Sequence, residues 1–397
     1  MNNRVLVINA GSSSMKYQLL DPATGERHAA GLVERIGEAG SNIRHTVGGH
    51  KHTRTFDCPD HSAAFVALRE AFAEHGPDLE SAGVGAVGHR VVHGGERFTG
   101  PTLIDDDGVA GILELSALAP LHNPANAQGI EAARGVFPDL PHVAVFDTAF
   151  HATMAPAVRE YAVPRQWRER YGVRKYGFHG TSHAYVSRRI AALLERPLTE
   201  VNSIVIHLGN GASACAVSGG ISVDTTMGLS PTDGLVMGTR TGDLDPAVAG
   251  HLATVAGLSV EDFSTAINKS SGLLGMTGSS DFRDMMVKKD SGDEASQTAY
   301  DVVIHRIVAH VGALAAPLGR LDAIAFTAGV GENDPRVRAD VLNQLSIFGF
   351  AVDDAANNRK QDEALISPEG TSPAAFVIAT NEELDIAQQC ATLLSWR

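Results

Sequence analysis

Three features of this chain predict an α/β fold with buried strands and a duplicated core. First, short runs of β-branched and small apolar residues end in glycine-rich turns: VLVINAG (5–11), VGAVGHRVV (84–92), HVAVFD (142–147), SIVIHLGNG (203–211), AIAFTAGVG (323–331) and AAFVIAT (374–380). Runs of this kind, bounded by turn residues, read as strands covered on both faces. Second, segments between them place apolar residues at helical spacing. Third, the plan of residues 4–20 (strand, small polar turn, strand) returns at 203–217. A duplicated domain with a nucleotide cleft between the copies would produce that echo, and so would two unrelated hairpins.

The helices follow from spacing and end signals. They are expected near 61–75, 123–137, 180–195 and 335–347. In SQTAYDVVIHRIVAHVGALAAPLG, Val303, Ile307, Val311, Leu314 and Leu318 fall on one face, and Gly319 is a stop. Asn381 is positioned to cap a last helix whose first turn carries two acids, the favoured charge there. No linker-like stretch marks a boundary, so the division near residue 150 rests on the repeat.

Composition sets the bounds. A chain of 397 residues is too long for one ordinary core and suits two domains. With 44% hydrophobic and 20% charged residues it reads as globular rather than disordered. Its net charge of −14 argues against nucleic-acid or anionic-membrane binding, although local cations and helix N-termini can still capture a phosphate. Cys58, Cys215 and Cys390 form no C-x-x-C, which argues against a disulfide framework or a cysteine zinc site. The N-terminus lacks the pattern of a signal peptide, and there is no run of about 18 apolar residues, so a cytoplasmic protein without a membrane span is expected.

Several motifs could carry chemistry. NAGSSSMK (Asn9–Lys16) offers a glycine–serine turn with backbone N–H groups and hydroxyls, plus the Lys16 cation, a donor cluster suited to phosphate. It is not a Walker A loop, and a plain serine-rich hairpin would look the same. HLGNG (His207–Gly211) and GVGEN (Gly329–Asn333) follow strands and allow close backbone approach to a phosphate or base. DFR (Asp281–Arg283) says nothing alone. GHRVVHGGE puts Arg90 at a strand end, able to fork onto a carboxylate or phosphate or simply to form a surface ion pair. His89 and His93 would share a face only on a helix, which argues against a metal there. Asp147 follows HVAVF at the edge where open α/β sheets place ligands, either orienting a reacting group or capping the next helix. YGFHGTSH brings His179, and MGTRTGDLDP brings Arg240, a candidate transition-state cation in a polar loop.

Taken together, VLVINAGSSSMKYQL, GHRVVHGGE, PLHNP, FDTAFH, YGFHGTSH, HLGNGAS, DTTMGLSPTDGLVMGTRTGDLDP, SGLLG, DFRD, FTAGVGEN and TNEEL resemble, in order and across essentially the whole chain, the acetate kinase (acetokinase) family, within the acetate and sugar kinase/Hsp70/actin group. The resemblance implies duplicated ribonuclease-H-like (actin-like ATPase) domains with a nucleotide cleft between them, residues 1–151 plus 384–397 and residues 152–383. It implies reversible transfer of the ATP γ-phosphate to acetate by direct in-line displacement, giving acetyl phosphate and ADP. Mg2+ would be held at Asn9 and Glu382, with Mn2+ able to substitute.

The remaining family roles carry over residue by residue. Asp147, His179, Arg240 and Arg90 match catalytic positions, and Arg90 also the acyl substrate's arginine. Val92, Leu121, Phe178 and Pro231 match the acyl pocket. Ser12, Ser14, Lys16, His207, Leu208, Gly209, Asn210, Gly211, Asp281, Phe282, Arg283, Gly329, Val330, Gly331, Glu332 and Asn333 match ATP positions, and His122 a supporting one. Family members are homodimers through the second domain. The rival readings are a propionate kinase of the same family and an actin- or Hsp70-like nucleotide-switch ATPase.

Overall fold

The computed structural model describes residues 3–396. It divides into two compact units: unit 1, up to Ala152 together with the segment from Asn381, and unit 2, Thr153–Thr380. The return to unit 1 comes earlier than the expected residue 384. The Asn381 side chain accepts from the Leu384 N–H at 3.1 Å and caps the helix Glu382–Leu393, so Asn381, Glu382 and Glu383 stay with that helix.

Unit 1 holds β1 (Arg4–Ala10), β2 (Ser14–Leu20), β3 (Arg27–Glu34), β4 (Asn42–Val47), β5 (His50–Thr55), β6 (Val84–Val91), β7 (Thr102–Leu103) and β8 (His142–Phe146) in one sheet of order β5-β4-β3-β2-β1-β6-β8-β7. Unit 2 holds β9 (Asn202–Leu208), β10 (Ala212–Ser218), β11 (Ile221–Thr225), β12 (Ala323–Thr327), β13 (Glu363–Leu365) and β14 (Ala374–Ile378), of order β11-β10-β9-β12-β14-β13.

The strand order establishes the duplication. In unit 1, β1 is antiparallel to β2 and parallel to β6, β2 is antiparallel to β3, and β6 is parallel to β8. In unit 2, β9 is antiparallel to β10 and parallel to β12, β10 is antiparallel to β11, and β12 is parallel to β14. Ala10 and Ser14 in one unit, and Leu208 and Ala212 in the other, are joined by turns of the same length. This is the ribonuclease-H-like plan twice over. The edges differ: unit 1 adds the β4–β5 hairpin, turned through Gly48 and Gly49 at φ 56° and 82°, a two-residue turn that glycine permits.

Helices cover the sheets where the sequence buries them. The last helix sets Ile386, Ala387 and Cys390 against Val5, Val7, Val143 and Val145. It comes so close that a methyl group on Gly88 would lie 2.9 Å from Cys390 Sγ. In unit 2 the helix Gly180–Leu193 packs on β9, β12 and β14. The segment Glu294–Leu318 is long and apolar enough to cross a membrane, with mean hydropathy 1.3 in its most apolar window. It carries Asp301 and Arg306, and it buries Val303, Ile304, Ile307, Val311 and Leu314 while packing on β9 and β10.

Candidate active site

In unit 1, the turn Gly11–Ser13 is closed by the Gly11 N–H donating to Ser14 O at 2.8 Å. His61 Nε2 lies 2.8 Å from Gly11 O, and the Ile36 N–H donates to Ser13 O at 3.0 Å, so two carbonyls are held from behind while Ser12 and Ser13 stay exposed. Asn9 and Lys16 face each other across β1 and β2, and Lys16 pairs with Glu383.

Arg90, near the end of β6, forks onto Asp147 just past β8: Nε donates to Oδ1 at 2.9 Å and Nη2 to Oδ2 at 2.8 Å. Its Nη1 lies 3.6 Å from Glu382 Oε2. The side chains are 20% (Arg90), 3% (Asp147) and 19% (Glu382) exposed, so this is a mostly buried charge cluster rather than a surface ion pair. Burial opposes the Arg90 cation, but the surrounding carboxylates outweigh it and its pKa rises. Burial also raises the Asp147 carboxyl, with Arg90 pulling against it. Both Asp147 carboxylate oxygens are taken by the Arg90 guanidinium.

His89, next to Arg90, is turned into unit 1, with Nε2 2.9 Å from His142 Nδ1. Val92 is half-buried and Leu121 is 57% exposed. His122 precedes the helix Asn123–Val136. Sequence reasoning passed over Asn126, whose Nδ2 donates to Ala10 O at 2.7 Å while its Oδ1 accepts from the Val92 N–H at 3.1 Å. It clips the serine turn to the Arg90 strand end. The HNPAN stretch at the start of that helix was the available signal.

In unit 2, His179 caps the helix Gly180–Leu193 with φ 57°, a left-handed conformation uncommon outside glycine and found at functional sites. Its Nδ1 lies 2.8 Å from Ser213 Oγ, which is also 2.8 Å from His183 Nε2. The His207 ring stacks on His179 with centroids 4.3 Å apart, and its Nδ1 is 2.8 Å from Ser182 Oγ. A methyl group on Gly211 would come 3.4 Å from His179 Nε2 and 3.5 Å from Arg240 Nη1, so the turn Gly209–Gly211 passes directly under both. Arg240 is held by the Pro231 carbonyl at 3.2 Å, and among the described residues no carboxylate pairs with it. Burial lowers its pKa, as expected for a half-buried cation without a counter-charge. Phe178 is fully buried and Pro231 half-buried.

Beside that turn lies a cavity of about 830 Å³ within unit 2. Leu208, Gly209, Asn210, Asp281, Phe282, Arg283, Gly329, Val330 and Asn333 line it, as do Val236, Met237, Gly238 and Leu273 from the quoted motifs without an assigned role, and Ser280 and Val337, which no quoted motif includes. Gly238 is there for closeness: a methyl group on it would lie 2.0 Å from Asn210 Oδ1. Asp281 caps the helix Phe282–Asp290, and Asp334 the helix Pro335–Gln344, so two helix N-termini begin at the cavity wall, where anions are favoured.

His207, Gly211, Gly331 and Glu332 are not among the lining residues. Glu332 turns inward: its Oε1 accepts from the Ala328 N–H at 2.7 Å and the Thr380 N–H at 3.1 Å, bracing a backbone kink at Ala328 with φ 65°. Ser12, Ser14 and Lys16 belong to unit 1. Among the described residues, no three His, Cys, Asp or Glu side chains form a metal cage.

Comparison with known proteins fits this arrangement. Residues 4–388 match the Acetokinase family. A relative named acetate kinase, from Clavibacter michiganensis subsp. michiganensis, is 55% identical over 386 residues, 97% of this chain and 98% of that protein. The crystal structure of Porphyromonas gingivalis acetate kinase superposes with a TM-score of 0.93 at 40% identity, covering 99% of this chain and 100% of that one. A propionate kinase from Francisella tularensis gives 0.92 at 40% identity, with 98% of each chain covered. The chain therefore belongs to the acetokinase family.

Proposed function

We propose that this chain is a kinase that moves the γ-phosphoryl group of ATP reversibly to acetate, giving acetyl phosphate and ADP. An acetate oxygen attacks the γ-phosphorus, the bond to the bridging oxygen breaks, and ADP departs with that electron pair. A carboxylate carries no proton to remove, so the work is charge compensation and positioning. The observation that carries the reading is Arg240, a half-buried cation with which no carboxylate pairs among the described residues, beside His179 and directly over the turn that opens the 830 Å³ cavity. That combination suits a polyanion arriving with its terminal phosphate at the turn.

The roles divide as follows. The cavity of unit 2 takes the nucleotide, with Asn210, Asp281 and Asn333 among its polar wall residues. Arg240 and His179 offset charge on the transferring group. Arg90 receives the carboxylate, its Nη1 being the nitrogen not engaged by Asp147. Asp147 holds the guanidinium in place. Asn9 and Glu382 offer hard oxygen donors of the kind Mg2+ prefers, and one or two such ligands suffice when phosphates complete the set. When bound, Mg2+ would neutralise phosphate charge.

A homodimer is part of the proposal. The helix Ala247–Ala256 buries none of its residues; Val255 within it is 64% exposed, and Leu244 and Val260 flanking it are 43% and 87% exposed, apolar surface suited to a second copy. Light scattering reading one chain's mass would contradict it.

The test is hydroxamate trapping of acyl phosphate with Mg·ATP and acetate, propionate or butyrate at matched concentration. The bulk of Val92 favours acetate, and one extra methylene costs about 1–3 kcal/mol, so propionate should be slower rather than rejected. Propionate turning over faster would favour the activity named for the Francisella protein. No acyl phosphate from folded, ATP-binding protein would return the nucleotide-switch reading.

A further inference from the structure

The family assignment leaves the buried serines of unit 2 without a part, and their geometry gives them one. Ser213 and Ser182 are both fully buried. Ser213 Oγ sits 2.8 Å from His179 Nδ1 and 2.8 Å from His183 Nε2. Ser182 Oγ sits 2.8 Å from His207 Nδ1 and accepts from Thr380 Oγ1 at 2.8 Å. Two stacked imidazoles thus each meet a serine hydroxyl at Nδ1 and turn Nε2 toward the Gly209–Gly211 turn, at 3.4 Å (His179) and 3.7 Å (His207) from methyl groups placed on its two glycines.

A hydroxyl has one proton to give and lone pairs to receive. Donating that proton to one ring nitrogen, it can accept one from the other. The Arg240 guanidinium, with which no carboxylate pairs among the described residues, already places a positive charge near the same point of the turn, so a neutral donor is the complement we assign to His179. A neutral His179 helps a phosphoryl oxygen only if its proton is on Nε2, and then Nδ1 must receive a hydrogen bond. We propose that Ser213 is a positioning residue that supplies this bond: it accepts from His183 Nε2–H, donates to His179 Nδ1 and so fixes the proton of His179 at Nε2, the nitrogen facing the transferring group.

The catalytic part of this inference rests on the role proposed for His179; the proton's location does not. The experiment uses full-length protein with 15N-labelled histidine. Ring-nitrogen shifts of ligand-free wild type, assigned with His179→Gln, should show His179 as the neutral Nε2–H tautomer. A proton on Nδ1 in wild type would overturn the proposal without reference to any variant. In Ser213→Ala the Nε2–H tautomer should give way to a mixture, and kcat should fall about 10- to 100-fold, the scale for removing an imidazole's orienting partner at metal sites. The KM values for ATP and acetate should stay within about threefold. Ser213→Thr, which keeps the hydroxyl, should restore both tautomer and kcat. An unchanged tautomer, or full turnover, in folded Ser213→Ala would sink the idea. If His179→Gln itself keeps full turnover, the role given to His179 fails while the tautomer measurement still decides the role of Ser213.

Discussion

Units 1 and 2 share a strand order and a turn of equal length between their first two strands, yet the corresponding strand ends present different chemistry. In unit 1, β6 and β8 end in Arg90 and Asp147, a forked ion pair with Glu382 beside it. In unit 2, the equivalent strands β12 and β14 lead to the Ala328 kink braced by Glu332, and to Thr380, whose hydroxyl joins a chain of serines and imidazoles. The fold determines where chain ends and turns gather. Side-chain identity then decides whether such a place works through fixed charge or through neutral donors and open backbone. Arg240 is the exception in unit 2: a half-buried cation held by the Pro231 carbonyl, with which no carboxylate pairs among the described residues.

The sharpest way to break that contrast is Arg240→Ala. Removing this cation should cost about 2.7–4 kcal/mol in kcat, as for loss of an oxyanion donor, with little change in the KM for either substrate. A defect confined to KM would mean that Arg240 only binds. Asp147→Asn tests the charged half. It keeps the shape but leaves Arg90 with a neutral partner, so we expect a weaker acetate KM, a lower kcat and a stability loss of about 1–3 kcal/mol in urea unfolding. Near-normal turnover would remove Asp147 from the orienting role.

How much of this was legible beforehand also differs between the units. Strands β1, β6, β8, β9, β12 and β14 stand out because, as inner strands, they carry unbroken apolar runs ending in turn residues. The β4–β5 hairpin did not, although Gly48-Gly49 is a hairpin signal, because β5 reads HKHTRT and buries almost nothing. The serine turn, Arg90, Asp147, His179 and Arg240 were all named from sequence, since polar residues in turns, loops and strand ends next to glycine leave short motifs. Asn126, Ser182, Ser213 and Gly238 were not singled out. Asn126 joins residues as far apart as Ala10 and Val92, and a buried serine in a strand looks like any other until its partners are placed. The inward turn of Glu332, whose carboxylate accepts backbone N–H groups of Ala328 and Thr380, was equally invisible, because its partners are backbone atoms.

Acid sharpens the comparison with a smaller effect. Burial lowers the pKa of His45, His89 and His142, all in unit 1. Each stays neutral in the folded state while the unfolded chain takes a proton, so the stability they lend is intact above about pH 6.5 and declines as pH falls below it. Asp147 pulls the other way, but its rise is restrained by Arg90. In unit 2, burial and the neighbouring Asp243 push Asp233 up to about 6, so that group binds its proton more tightly when folded and favours the native state as pH falls through 6. Hydrogen exchange at pH 5.5 against pH 7.5 should therefore show amides around His45, His89 and His142 losing protection. Unchanged protection there would contradict the assignment.

The smallest expected effect separates a cap that holds the core from one that holds only its own helix. Asn381→Ala removes the acceptor for the Leu384 N–H, a change worth about 1 kcal/mol. Because the helix it starts buries Ile386, Ala387 and Cys390 against β1 and β8, the loss should appear in cooperative unfolding of unit 1. Ser259 caps Val260–Lys269 in unit 2, accepting from the Asp262 N–H at 3.0 Å, but that helix buries no residue. Ser259→Ala should then fray the helix, raising amide exchange locally while the urea midpoint stays put. A midpoint shift as large as that of Asn381→Ala would mean that Val260–Lys269 is packed against something in solution, which is what the proposed second copy would do.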